Sequence, residues 1–69
     1  YPAVSNARQI AMYVVRDITQ LPMASIGEEF GGRDHSTVVY ATQQVEKNMA
    51  KDPRTKATVE DIIKNIRDR

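Results

Sequence analysis

Ile26-Gly-Glu-Glu-Phe-Gly-Gly-Arg-Asp-His-Ser-Thr-Val-Val-Tyr-Ala41 is a short helix, a glycine turn and the opening of a second helix. Ile26 and Phe30 stand at i, i+4 and share a buried face. Gly31-Gly32 ends that helix, because glycine takes positive φ without penalty. Asp34 is an N-cap for the next helix. The layout is a helix-turn-helix, which lays the start of its second helix against base edges in the DNA major groove. Every residue from Arg33 to Thr37 carries a hydrogen-bonding group, more than capping needs. Donors and acceptors at that end of a helix are what a groove reader requires.

The rest of the chain reads outward from this stretch as helices. Upstream, a helix is expected from Ser5 or Asn6, either of which can cap it, to Thr19. Its apolar positions Ala7, Ile10, Ala11, Val14, Val15 and Ile18 recur with a period of about 3.6 residues. Pro22 lies beyond its end as a stop signal. Arg8, Gln9, Arg16 and Asp17 sit opposite the stripe, with the two arginines two turns apart and near one face. Ser25 and Glu28 have the spacing of an S-x-x-E capping box for the short helix Ile26 to Phe30. After Asp34, the buried stripe is expected to be Val38, Ala41, Thr42, Val45 and Met49, with Tyr40, Gln43, Gln44 and Lys47 off it. Asp52-Pro53 restarts the chain as an N-cap acid followed by proline at N1. The last helix, Pro53 to about Arg67, should bury Val59, Ile62, Ile63 and Ile66, with an outer face of alternating sign. The fold class is therefore all-α: one small helical bundle containing a helix-turn-helix, its first helix supporting the motif from behind.

Composition sets the bounds. Sixty-nine residues make a single small domain, burying about 60% of the surface its unfolded chain exposes. With no cysteine there is neither a disulfide framework nor a thiolate metal site. No apolar run approaches the length of a membrane span, so no membrane role is expected. Because Tyr1 is not an initiator methionine, the chain is expected to be a domain excised from a larger protein or a processed product. Ten basic and nine acidic residues leave a formal charge of +1, which does not by itself announce a polyanion partner. Placement matters more: Arg8, Arg16 and Arg33 are spread over the first half of the chain.

His35 invites a catalytic reading, and the sequence argues against one. Asp34, His35 and Ser36 are consecutive, and neighbours on a helix point about 100° apart, so they form no relay. A lone histidine makes a poor metal site. Gly31-Gly32 lacks the Lys-Ser/Thr of a phosphate-binding loop. No enzymatic activity, metal or cofactor is expected.

For DNA, the same residues have separate tasks. Asp34 can cap the helix while accepting from a cytosine amino group. His35 can donate to or accept from a base edge, and Ser36 and Thr37 supply hydroxyls, Thr37 adding a methyl that suits thymine. Arg33, in the turn, can meet a phosphate or a guanine edge. Arg8, Gln9 and Arg16 suit phosphates flanking the groove, which fix register rather than sequence. The alternative for Arg8 and Arg16 is a solvated surface charge; for Thr37 it is a hydroxyl bonded back to its own helix. Glu28 and Glu29 are expected to point away from phosphate.

The run Gly27-Glu-Glu-Phe-Gly-Gly-Arg-Asp-His-Ser-Thr-Val38, with Ala7-Arg-Gln-Ile-Ala-Met-Tyr13 upstream, resembles the C-terminal DNA-binding domain of the DnaA family, the bacterial chromosomal replication initiators. The likeness extends from about Ala7 to Met49, and its second segment is highly specific. It implies binding to DnaA boxes, short duplex sites with a consensus close to TTATCCACA, at the replication origin and some promoters. It implies base reading by Asp34, His35, Ser36 and Thr37, and backbone or turn contacts by Arg8, Gln9, Arg16 and Arg33. A cytoplasmic place on the bacterial nucleoid and regulatory protein partners follow from the same likeness, and the isolated domain is expected to be a monomer. The family's ATP-binding module would lie outside this chain, so no nucleotide cofactor is assigned to these residues.

Three departures from the family stand out. Its basic loop before the first helix carries an arginine that enters the minor groove. This sequence opens at Tyr1, inside that region and without the arginine, which implies weaker binding and less discrimination. Where many members place Leu-Pro just before the Ile-Gly, this chain has Pro22-Met23-Ala24-Ser25. Ser36 stands where threonine is common, keeping the hydroxyl and giving up a methyl. Two other readings stay open on sequence alone. One is a helical protein-interaction domain docking a replication regulator; the other is the same DNA-binding module in a transposase or transcription regulator.

Overall fold

A computed structural model describes residues 2–68. Four helices account for them: α1 (Pro2–Thr19), α2 (Met23–Glu29), α3 (His35–Lys51) and α4 (Pro53–Arg67). None of the described helices is long and apolar enough to cross a membrane.

Two of the expected caps fall inside helices. α1 starts at Pro2, so positions 5 and 6 lie inside the helix rather than at its N-cap. Proline's fixed φ and missing N–H suit a first helical turn. α2 likewise starts earlier than its capping-box signature implied. Pro22 is its N-cap residue, extended at φ −59° and ψ 148°, with no side-chain cap. Ser25 is thus a helical position, and the Ser25–Glu28 box is not formed.

The other boundaries follow the sequence. α1 ends on Gln20, a non-glycine residue at φ 59°, whose N–H reaches the Arg16 carbonyl at 2.9 Å. The Thr19 hydroxyl donates to the Val15 carbonyl at 2.7 Å and accepts from the Leu21 N–H at 3.3 Å. Asp52 caps α4, accepting from the Arg54 N–H at 3.0 Å ahead of proline in the first turn.

Two apolar clusters hold the helices. Met12, Ile26, Val38 and Ala41 form the first, with Val15, Met23 and Phe30 packed around them. It joins α1 to α2 and α3. Val14, Val45 and Val59 form the second, with Ile10, Tyr13, Ile18, Met49 and Ile63, and it joins α1 and α3 to α4. α1 therefore buries two faces, as the stripe from Ala7 to Ile18 did not reveal. α4 touches α1 and α3 but not α2, so it braces the helix-turn-helix from the side away from the turn. Thr42, buried within the α3 stripe, satisfies its hydroxyl on the Val39 carbonyl at 2.9 Å.

The expected burial of Ile62 and Ile66 is not met; they are 37% and 41% exposed. α4 docks through Val59 and Ile63 at i, i+4. Ile62 lies on the flank of that narrow contact, and Ile66 in the last turn. A helix at the edge of a small bundle has neighbours on one side only, so its stripe is narrower than its apolar content suggests.

Candidate nucleic-acid interface

The turn between α2 and α3 is built on α2's own carbonyls. The Phe30 N–H bonds to Ile26 and Gly27, the Gly31 and Gly32 N–H groups to Glu28, and the Arg33 N–H to Gly27 at 2.9 Å. Both turn glycines have positive φ, 92° and 76°, so the sequence reading of Gly31-Gly32 holds. Gly27 has a role that the reading missed. A Cβ built there would run into the Arg33 carbonyl oxygen, with the Arg33 carbonyl carbon 3.1 Å and the Asp34 oxygen 3.4 Å away. The absence of a side chain at Gly27 is what lets the turn fold flat against α2. A glycine inside a helical pattern was the available signal.

Asp34 then caps α3 as expected. Its Oδ1 accepts from the Thr37 N–H at 3.1 Å and from the Thr37 hydroxyl at 2.7 Å. The bond from that hydroxyl, then the backbone bond, hold the Asp34 carboxyl below its ordinary pKa. At neutral pH it is an acceptor only. Thr37 is exposed, not buried, and its hydroxyl proton is committed to Asp34 rather than to its own helix backbone.

His35 and Ser36 are exposed in the first turn of α3. Arg33 is half-buried, and its Nε is shielded from solvent without a hydrogen-bond partner. The stem is thus packed into the turn.

Arg8 and Arg16 stand one turn before and one turn after Met12, the 1% exposed residue that packs on Ile26 and Val38. The two arginines therefore flank α1's contact with the helix-turn-helix, Arg8 half-buried and Arg16 exposed. Gln9, half-buried, lies closer to Arg16's face. Arg16 shares a cleft with Met23 at the start of α2 and with Val39, Thr42 and Gln43 on α3. Among the described residues, the ion pairs are Asp52–Arg54 at 3.8 Å and Asp17–Arg67 at 3.2 Å. Neither involves Arg8, Arg16 or Arg33. Glu28 and Glu29 are exposed, on the side of α2 away from Met23, Ile26 and Gly27.

Two helices joined by a glycine turn, the second polar and exposed at its start, with a longer helix behind, define a helix-turn-helix domain. Comparison with known proteins gives its family: residues 2–45 match the bacterial DnaA protein helix-turn-helix, and the chain belongs to that family. It is 48% identical over 63 residues to the chromosomal replication initiator protein DnaA of Thermodesulfovibrio yellowstonii, covering 91% of this chain and 14% of that protein. It is also 48% identical over 65 residues to the protein of the same name from Symbiobacterium thermophilum, covering 94% of this chain and 14% of that protein. No solved structure matches the chain at a significant level.

Proposed function

We propose that this chain is the sequence-specific duplex-DNA module of a bacterial chromosomal replication initiator, binding DnaA boxes with a consensus close to TTATCCACA. One observation carries the reading most. The first turn of α3 presents His35 and Ser36 to solvent from a backbone fixed by the Asp34 cap and the Gly27–Arg33 contact. A rigid helix start places donors more accurately than a loop. In this reading His35 and Ser36 meet base edges, Asp34 offers its second carboxylate oxygen to a base amino group, and Thr37 contributes its methyl and remaining acceptor capacity. Arg33 meets a phosphate or a guanine edge from the turn. Arg8, Gln9 and Arg16 meet the backbone on either side. The domain acts without a nucleotide or metal of its own.

Fluorescence anisotropy of the chain with a TTATCCACA duplex and a scrambled duplex, over a salt series, tests this. A preference for the box that persists as salt rises is the expected result. Equal, steeply salt-sensitive binding would leave only phosphate contacts and refute the sequence-specific reading, and no binding to either duplex would refute a DNA role altogether.

Two side chains can be assigned in the same assay. His35→Ala should cost about 1–3 kcal/mol on the box if the imidazole bonds a base, with much less lost on the scrambled duplex. Equal losses on both would remove His35 from base reading. Arg16→Ala should weaken both duplexes alike and flatten the salt dependence by about one counterion. An unchanged slope would make Arg16 a solvated rim charge of its cleft.

A further inference from the structure

α3 carries a polar track that does not stop at the reading end. Ser36, Tyr40, Gln43 and Lys47 fall at i, i+4, i+7 and i+11, with Lys51 one turn beyond, so they line one side of the helix. All five are exposed, Tyr40 at 58%. The track is about 22 Å long from Ser36 to Lys51, and no acid interrupts it. α3's sole acid, Glu46, lies off the track, beside Gln43 on the cleft that Tyr13 and Arg16 also line.

Lys47 and Lys51 are like charges at i, i+4, a spacing that destabilises a helix by a few tenths of a kcal/mol. Lys51, in the last turn, complements the helix dipole; Lys47 does not have that explanation. Among the described residues, no carboxylate pairs with either lysine. Gln43 and Gln44 occupy the positions four and three before Lys47. Asp52, the nearest acid in sequence to Lys51, is occupied by the Arg54 N–H, the Thr55 hydroxyl and the Arg54 guanidinium. α4 is different: Lys56, Glu60, Lys64 and Asp68 alternate in sign at i, i+4, the pattern of a self-compensated solvated face.

We infer that Lys47 and Lys51 form a second phosphate-binding patch, which extends the DNA footprint from the reading end of α3 along its outer track to the backbone flanking the box. The inference rests on the duplex-DNA reading above. A polyanion relieves the uncompensated pair, and each neutralised phosphate releases counterions. The patch adds affinity on any sequence and no base discrimination.

The test compares Lys47→Gln/Lys51→Gln with Lys56→Gln/Lys64→Gln, which removes the same charge from α4, on a duplex extending ten base pairs beyond the box on each side. The α3 double variant should reduce the salt slope by about 0.9 per lost contact. The affinity lost between about 50 and 200 mM salt would then shrink by roughly tenfold. The ratio of box to scrambled affinity should stay at the wild-type value, and the α4 pair should leave the slope unchanged. Equal effects of the two double variants would mean net charge alone and overturn the patch, as would a wild-type slope in the α3 variant. A wild-type chain that prefers no duplex would instead overturn the DNA reading, so the two failures are separate.

Discussion

Gly27→Ala is expected to melt this domain about 12–24 °C below the wild type and to weaken box binding even where the variant is still folded. Two effects oppose each other. Within α2, alanine gains about 1 kcal/mol of helix propensity over glycine. Against this, the new Cβ falls on the Arg33 carbonyl oxygen, and backbone cannot swing aside as a flexible side chain can. Overpacking of this kind costs about 1–3 kcal/mol or more. Pushing the turn outward also breaks the Arg33 N–H bond to the Gly27 carbonyl at 2.9 Å, a further loss of about 1 kcal/mol. The clash wins, with a net loss near the top of that range, about 3 kcal/mol. In a domain of this size each kcal/mol moves the melting temperature by about 4–8 °C.

The displaced turn carries Asp34, so the cap on Thr37 and the aim of His35 and Ser36 move with it. Thermal melts followed by circular dichroism measure the first effect, and anisotropy well below the melting point measures the second. Alanine at Gly31, where an added Cβ would meet nothing within 4 Å and φ is 92°, isolates the cost of left-handed backbone alone, about 1–2 kcal/mol. Should Gly27→Ala melt at or above the wild type, helix propensity dominates and the close approach of turn to helix is refuted.

Punctuation and periodicity made most of the fold legible. Gly31-Gly32, Asp34 and Asp52-Pro53 each break or start a helix by local chemistry, and the structure uses each that way. Of the expected α3 stripe, Val38, Ala41, Thr42 and Val45 are buried as their spacing implied, and Met49 is half-buried against the second cluster. The failures are tertiary. Whether Ser25 or Pro22 heads α2 depends on how the chain leaves α1, which no capping box encodes. Whether Ile62 is covered depends on how far α1 and α3 reach across α4. The candidate site is split the same way. The polar run from Arg33 to Thr37 is local and visible, while the features that hold it in place are contacts between segments. These are Gly27 against Arg33 and Met12 between Arg8 and Arg16. Their sequence signals, a helical glycine and an apolar residue off the main stripe, mean little until the helices are docked.

Met12 gives the second large effect. Met12→Ala should destabilise the domain by about 2–5 kcal/mol, against a total that in a chain this short is only about 5–10 kcal/mol. The side chain is 1% exposed and packs in the cluster that joins α1 to Ile26 and Val38. Its removal leaves a cavity at the junction of all three helices of the motif. Ile62→Ala deletes more branched apolar volume from a side chain that is 37% exposed on the flank of α4. It should cost about 1–2 kcal/mol, less than Met12→Ala, because over a third of that side chain still faces water in the fold. The ordering is informative, since the periodic stripes alone would have ranked the two residues the other way. Urea denaturation of both variants decides it. Met12→Ala should also lower duplex affinity, because Arg8 and Arg16 are carried on either side of the residue that anchors α1 to the reading helix, whereas Ile62→Ala should leave affinity unchanged. Equal stability losses would mean that α4's flank is covered and that α1 does not clamp the motif through Met12.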